Sequence, residues 1–286
     1  EQSQFMVTGG ATLTASNISI NVTTEFEADK KVKPVGSGSN VFFTFNKGNF
    51  SGVREFFVAS DTDTKKADDI TANVPKFVPA NVFKLATSTT ENILIALSSD
   101  EDNALYVFQY YVAQNKRLQS AWHKWTYGST TSDKILNVDF IENTLFIVNE
   151  RSDGVYLETI DVSPALTDTG ETYLTHLDRK LNNTQITESY NAGTNQTTIT
   201  LPYAINNTMK VVGKSGASNK AGQEIATVSQ TGTSIVVSGD ITAQNFFIGE
   251  QYEFEFQFSQ QFIQVADSVG SRISVKEGRL QIRNWS

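Results

Sequence analysis

The chain has 286 residues and no cysteine, and its 31 acidic against 23 basic residues give a formal net charge of −8. Without cysteine there are no disulfides, zinc ribbons, iron–sulfur clusters or thiol nucleophiles, which fits synthesis in a reducing cytosol. An acidic chain lacks the electrostatic footprint for gripping a phosphate backbone, and no apolar run approaches the ~20 residues of a membrane-spanning helix.

The length favours two domains. The opening "EQSQFMVTGG" has neither the basic nor the apolar region of a signal peptide. From there strand signals dominate: Val, Ile, Thr and aromatics recur in short runs broken by Gly, Asn and Asp. "QFMVTGG" and "NISINVTTEF" read as a strand or two. The nearest approach to a helix, "DTKKADDITANV" from Asp63 to Val74, reads as a loop or one short helix.

Three runs look alike: "GSNVFFTF" with Asn40, "TENILIAL" with Asn92 and "IENTLFIV" with Asn143, at spacings of 52 and 51 residues. Each begins at a turn-prone Asn and continues apolar. Hairpin signals follow at Asn46, Ser99 and Arg151, the last containing the favoured pair Asp153-Gly154. Second strands come next, in "VREFFVA", "ALYVFQYYV" and "VYLETIDV". "KVKPV", "VFKLATS" and "KILNVDF" supply a strand ahead of each Asn. A repeat of this length with three or four strands is the signature of a propeller blade. The alternative is a plain antiparallel meander with a coincidental spacing. The expected fold class is therefore all-β, with a partial β-propeller of about three blades over residues 1–170, the first blade incomplete. A closed ring needs about four to eight blades.

Composition shifts near Gly170 toward Thr, Asn, Gln, Ser and Gly. "TYLTHLDRKL" reads as a linking segment. Beyond it, "TTITLPY", "MKVVGK", "SIVVSGD" and "EQYEFEFQFSQQFI" read as strands of a β-sandwich or small barrel over residues 171–286. In the last, Tyr252, Phe254, Phe256 and Phe258 share one face, and Glu253, Glu255 and Gln257 the other.

Chemistry is sparse. His123 and His176 are the only imidazoles. Neither Ser120, near His123, nor Asp178, beside His176, stands in a nucleophile motif such as G-x-S-x-G. The acidic runs at Asp61 and at Asp100, Glu101 and Asp102 lack EF-hand spacing and fall where turns are expected. Glu253 and Glu255 lie two apart on one strand face, and glycoside hydrolysis needs only a pair of carboxylates; a polar outer face explains them equally. "VGSGSN" at Val35 precedes a strand and lacks the helix N-terminus of a phosphate loop. The N-x-S/T tripeptides at Asn17, Asn21, Asn49, Asn182, Asn195, Asn206 and Asn284 are expected by chance in so Thr- and Asn-rich a chain. No catalytic residue, cofactor or metal site is expected.

The segment "LQSAWHKWTYG", Leu118–Gly128, concentrates rare residues. Read as a strand, it turns Trp122 and Trp125 to opposite sides, which is unlike a single-strand stacking platform. It stands where the outer strand of the second blade belongs. Trp122, Trp125 and Tyr127 are then packing anchors, and a buried Trp125 predicts a loss of roughly 3–5 kcal/mol on truncation to alanine.

Together "SQFMVTGG", "STTENILIALSS", "LYVFQYY", "QSAWHKWTYG", "GVYLETIDV" and "YEFEFQFSQQFI" resemble the tail nozzle (tail tubular) family of T7-like podoviruses, discontinuously from Ser3 to Phe262. The stretch Asn182–Asp240 stands outside these matches. The resemblance implies a non-enzymatic virion structural protein of the tail, made in the host bacterial cytoplasm, and an internal piece of a longer chain. It further implies a homo-oligomer, a hexamer in this family, below the tail adaptor ring. Such a nozzle forms the distal channel through which DNA is ejected and helps hold the tail fibres. Acids such as Asp100, Glu101, Asp102, Glu253 and Glu255 would then face the lumen or an interface, where an acidic wall lets DNA slide without sticking. The other readings of the residues are a tail component that binds or cleaves host glycans, and a surface adhesin module.

Overall fold

The computed structural model describes residues 3–9, 12–58, 65–114, 116–127, 133–163, 167–216, 220–257 and 279–282. Among them every regular element is a β-strand. Among the described residues no helix is long and apolar enough to cross a membrane. The chain divides into two compact units, Glu1–Leu166 and Thr167–Ser286.

The first unit opens with a two-stranded antiparallel ribbon, β1 (Gln4–Thr8) and β2 (Ser19–Thr24). Three sheets follow in chain order, each a run of consecutive antiparallel strands. The first comprises β3 (Val35–Ser37), β4 (Asn40–Asn46), β5 (Ser51–Val58) and β6 (Lys65–Asp69). The second comprises β7 (Val82–Ser88), β8 (Ile93–Ser98), β9 (Glu101–Ala113) and β10 (Lys116–Thr126). The third comprises β11 (Lys134–Ile141), β12 (Thr144–Arg151) and β13 (Gly154–Asp161).

The Asn-led runs are the inner strands β4, β8 and β12. β8 shows why they are so apolar: all six of its residues are buried. Side chains alternate across a strand. Leu94 and Ala96 therefore join a core with Phe42 and Val53 of the first sheet. Ile93, Ile95 and Leu97 join a second core with Ile135, Val138, Leu145 and Ile147 of the third. The second sheet is thus packed on both faces, and the three sheets form a stack with two cores. An ion pair reinforces the first junction: Arg117 on β10 donates from both terminal nitrogens to Glu55 on β5, at 2.7 Å each, and Glu55 is 3 % exposed.

Two local readings are corrected. Lys65–Asp69, in the stretch read as a loop or short helix, is the edge strand β6; it pairs with β5 and buries only Ala67. Edge strands commonly carry charge on the solvent side, which hides the alternation. Asp61, Asp63 and Thr64 lie outside the described residues, whereas Asp68 and Asp69, which end the acidic run begun at Asp61, lie on β6, and Asp69 pairs with Lys47 at 2.6 Å. β3 starts only at Val35, the last residue of "KVKPV", because Pro34 has no N–H to give a ladder.

The second unit contains β14 (Asp178–Asn182), β15 (Thr187–Asn191), β16 (Gln196–Thr200), β17 (Met209–Gly213) and β18 (Glu224–Ile225), then β19 (Thr227–Thr231), β20 (Ser234–Ser238), β21 (Phe246–Glu250), β22 (Phe254–Gln257) and β23 (Arg279–Ile282). Two four-stranded antiparallel sheets have the orders β14-β21-β17-β18 and β15-β16-β20-β19, and β22 pairs with β23. β16 and β20 alternate cleanly, burying Ile199, Ile235 and Val237. Gln230 on β19 exchanges hydrogen bonds with the backbone of Met209 on β17, which ties the two sheets together. "TYLTHLDRKL" is only partly a link, since its last residues begin β14.

Candidate assembly surfaces

β10 carries the aromatic segment along the edge of the second sheet. Trp122 stands opposite Phe108 and Trp125 opposite Leu105 in the antiparallel register. Each therefore shares a face with its partner, and the two faces are opposite. Trp122 packs on the first core, near Phe77 and Phe108, and its Nε1–H donates to the Ile70 carbonyl at 2.9 Å. Trp125 packs on the second core beside Tyr127, which is buried and donates its backbone N–H to Asn103 at 2.8 Å. Both tryptophans are half-buried. His123 lies 5.5 Å from the Trp125 ring, and burial pushes its imidazole below the usual range. It has no nucleophile or carboxylate partner among the contacts of the described residues. Gly128 lies outside them.

The three acids Asp100, Glu101 and Asp102 are each matched by a donor or a cation. Asp100 accepts from Asn81 Nδ2 at 2.8 Å. Glu101 takes Lys124 Nζ at 2.8 Å and also the hydroxyl of Tyr106. Burial works to raise the Glu101 carboxyl, but Lys124 and Tyr106 outweigh it and hold it below the usual range. Burial first, then the bond to Glu101, pushes the Tyr106 phenol well up. Asp102 lies 3.7 Å from Lys134. These three residues brace the β8–β9 turn against the residue ahead of β7, against β10 and against β11.

Glu253 and Glu255 belong to the second unit and are exposed, as are Tyr252, Phe254 and Phe256 on the facing side. The stripe Tyr252, Phe254 and Phe256 is thus about half exposed. Phe258 lies outside the described residues, as does the side chain of Gln257. One carboxylate pair was missed by sequence reasoning: burial and the Asp240 charge together raise the Glu188 carboxyl. Their separation along the chain hides the pairing: the loop after β20 returns to β16, where Ile241 N–H donates to Thr197 Oγ1, opposite Tyr190 on β15. Among the described residues no group of three or more His, Cys, Asp or Glu could hold a metal ion.

What the chain displays instead is uncovered apolar surface on strands. The ribbon exposes Phe5, Val7, Ile20 and Val22. Beyond Gln109, the last residue of β9 paired with β8, the β9–β10 hairpin extends past the second sheet, held to the first by Arg117–Glu55, and exposes Tyr111, Val112 and Leu118. The outer face of the third sheet exposes Ile141, Val155 and Leu157. Apolar patches of this kind mark protein contacts.

The chain is 26 % identical over 290 residues to the tail tubular protein gp12 of Escherichia phage T7, an alignment covering 99 % of this chain and 36 % of that protein. It thus spans about a third of the length of the curated relative it matches. The family model described as bacteriophage nozzle protein matches residues 1–286. On that match the chain, whose described elements are all β-strands, belongs to the bacteriophage nozzle protein family.

Proposed function

We propose that this chain is a structural module of the phage tail nozzle, acting by assembly and without catalysis. The family match over the whole chain carries this reading. The stacked meanders supply a rigid wall, and the uncovered apolar strands supply contacts. In the full-length protein the three sheets of the first unit would be blades of a propeller, completed by further strands. The two four-stranded sheets of the second unit would be the layers of a sandwich. The assembly is a homo-oligomer in the virion tail, a hexamer by resemblance, set between the tail adaptor ring and the fibres. DNA passes through its lumen without being gripped, in keeping with the net charge of −8. Asp100, Glu101, Asp102, Glu253 and Glu255 are the acids that such a phosphate-repelling wall or an interface would use.

Immunogold labelling of intact virions with antibodies against this chain tests the proposal. Label is expected at the distal tail, and label confined to the capsid would overturn it. The same protein is expected to release no reducing sugar from host polysaccharide. Release that disappears when a carboxylate pair is replaced would favour a glycan hydrolase instead.

A further inference from the structure

The third sheet is one strand short of its neighbours. In the first two sheets the chain runs on from the third strand into a fourth, β6 or β10, which pairs along the outer edge. After β13 the next strand in chain order is β14, and β14 pairs with β21 of the second unit. Among the described residues β13 therefore has one neighbouring strand, β12.

Antiparallel partners alternate between pairs that exchange both backbone hydrogen bonds and pairs that exchange none. Val162 donates its N–H to the Asn143 carbonyl at 3.0 Å, which fixes the alternation. Along the unbroken register Ile160 then bonds to Leu145, and Gly154 to Arg151. Val155, Leu157, Thr159 and Asp161 hold the alternate positions, so their N–H and C=O groups point away from β12. This edge lacks the usual guards, which are proline, a bulge or outward charge. β13 contains no proline, and its register with β12 has no bulge. β6, by contrast, carries Lys65, Lys66, Asp68 and Asp69. The two acids of β13 are engaged elsewhere. Glu158 takes Arg151 on β12, and Asp161 accepts from the Asn143 side chain and the Ser163 N–H. The side chains beside the edge include Leu157, 68 % exposed, and Val155, 61 % exposed.

We propose that the third sheet takes a fourth, antiparallel strand along the outer edge of β13, supplied by the same polypeptide from a part beyond these 286 residues. Strand addition satisfies the row of main-chain groups and fits an edge as long as β13, Gly154–Asp161. The incoming strand should place apolar side chains opposite Val155 and Leu157. The β1–β2 ribbon is not the source. Gln4 Nε2 donates to the Phe26 carbonyl at 2.8 Å, and the Arg54 guanidinium on β5 lies over the Phe26 ring. These contacts hold the ribbon beside the first sheet, and the second sheet stands between it and β13. The length needed is present in the family, since the alignment with the T7 protein covers 36 % of that protein. The inference rests on the blade reading above and adds which edge is completed. It also sets the chain order: the second unit is inserted between the third and fourth strands of one blade.

Hydrogen exchange resolved to single amides, in this chain and in the full-length protein, tests it without any substitution. In this chain the amides of Val155, Leu157, Thr159 and Asp161 are expected to exchange freely, and that of Ile160 to be protected. In the full-length protein the four should slow by about a hundredfold or more. Four amides already slow in this chain, or still fast in the full-length protein, would overturn the proposal. The source of the strand is read by photo-crosslinking from benzoylphenylalanine in place of Leu157, in an equal mixture of unlabelled and heavy-nitrogen full-length protein. The expected product joins β13 to a peptide from beyond the 286 residues, with both halves of the same isotope. A mixed-isotope product would assign the edge to a second copy, and a peptide from within the 286 residues would assign it to this chain; either would overturn the proposal. None of these outcomes removes the label from the distal tail, so failure of the strand is distinguishable from failure of the nozzle reading.

Discussion

Arg179→Ala is expected to destabilise the second unit by about 3–5 kcal/mol, the cost of leaving a buried carboxylate without its cation. Arg179 Nη1 lies 3.3 Å from Glu250 Oε1, with side chains 3 % and 5 % exposed. The guanidinium also lies over the Tyr203 ring, 3.6 Å from its centroid, and the Tyr203 hydroxyl donates to the Arg179 carbonyl at 2.7 Å. Three chain segments therefore converge on one planar cation: β14, the end of β21 and the loop before β17. Lysine could replace the charge but not the flat stacked contact. Hydrogen exchange should quicken in β14, β17 and β21 of the alanine variant. Removing both charges, Arg179→Ala with Glu250→Ala, should recover part of the loss, since no ion is then stranded. A loss below about 1 kcal/mol for Arg179→Ala would mean the pair behaves like an exposed one.

Trp122→Ala should have the second large effect, roughly 3 kcal/mol, the low end for a truncated tryptophan because the side chain is half-buried. Its ring meets Phe77 and Phe108, and its N–H holds the Ile70 carbonyl just after β6. The loss should fall on the junction between the first and second sheets, with exchange rising in β5, β6 and β10. Trp122→Phe keeps much of the packing and forfeits the hydrogen bond, so it should cost about 1 kcal/mol. Trp125→Ala should cost less than Trp122→Ala. Both are half-buried, but Trp125 packs on the second core beside Tyr127 without, among the described residues, a hydrogen bond of the Trp122 kind. Equal losses at both positions, measured by urea unfolding, would contradict this asymmetry.

The inner strands were legible in the sequence because burial on both faces leaves a continuous apolar run, as in Ile93–Ser98. Their turns were legible for a conformational reason. Asn92 has φ 51°, a left-handed geometry that asparagine tolerates. The opposite faces of Trp122 and Trp125 followed from alternation alone, and the two cores receive them accordingly. β6 was hidden because its pairing to β5 forms it, while its own residues are mostly charged. β21 was missed as an inner strand: "FFIGE" is buried throughout, but its partners β14 and β17 lie far off in sequence. The stripe Tyr252–Phe256 shows the remaining limit. Alternation identifies a face that wants covering and is silent about what covers it. The same limit applied to the acids, whose neighbours Lys124 and Lys134 are set by register rather than by sequence distance.

The strand orders of the two units also bear on how the polypeptide reaches its fold. Every sheet of the first unit pairs strands that follow one another in the chain. Each can therefore zip up as soon as its last strand leaves the ribosome, with short loops to close and little competition from distant partners. In the second unit Asp178 pairs with Glu250, so β14 must wait for β21 before it has a neighbour. Its sheet is the high-contact-order part of the molecule. Pulse-labelled exchange during refolding is thus expected to protect β8 and β9 before β14. A growing chain would carry a finished stack while the rest is still searching, ready to meet other copies before synthesis of the protein is complete.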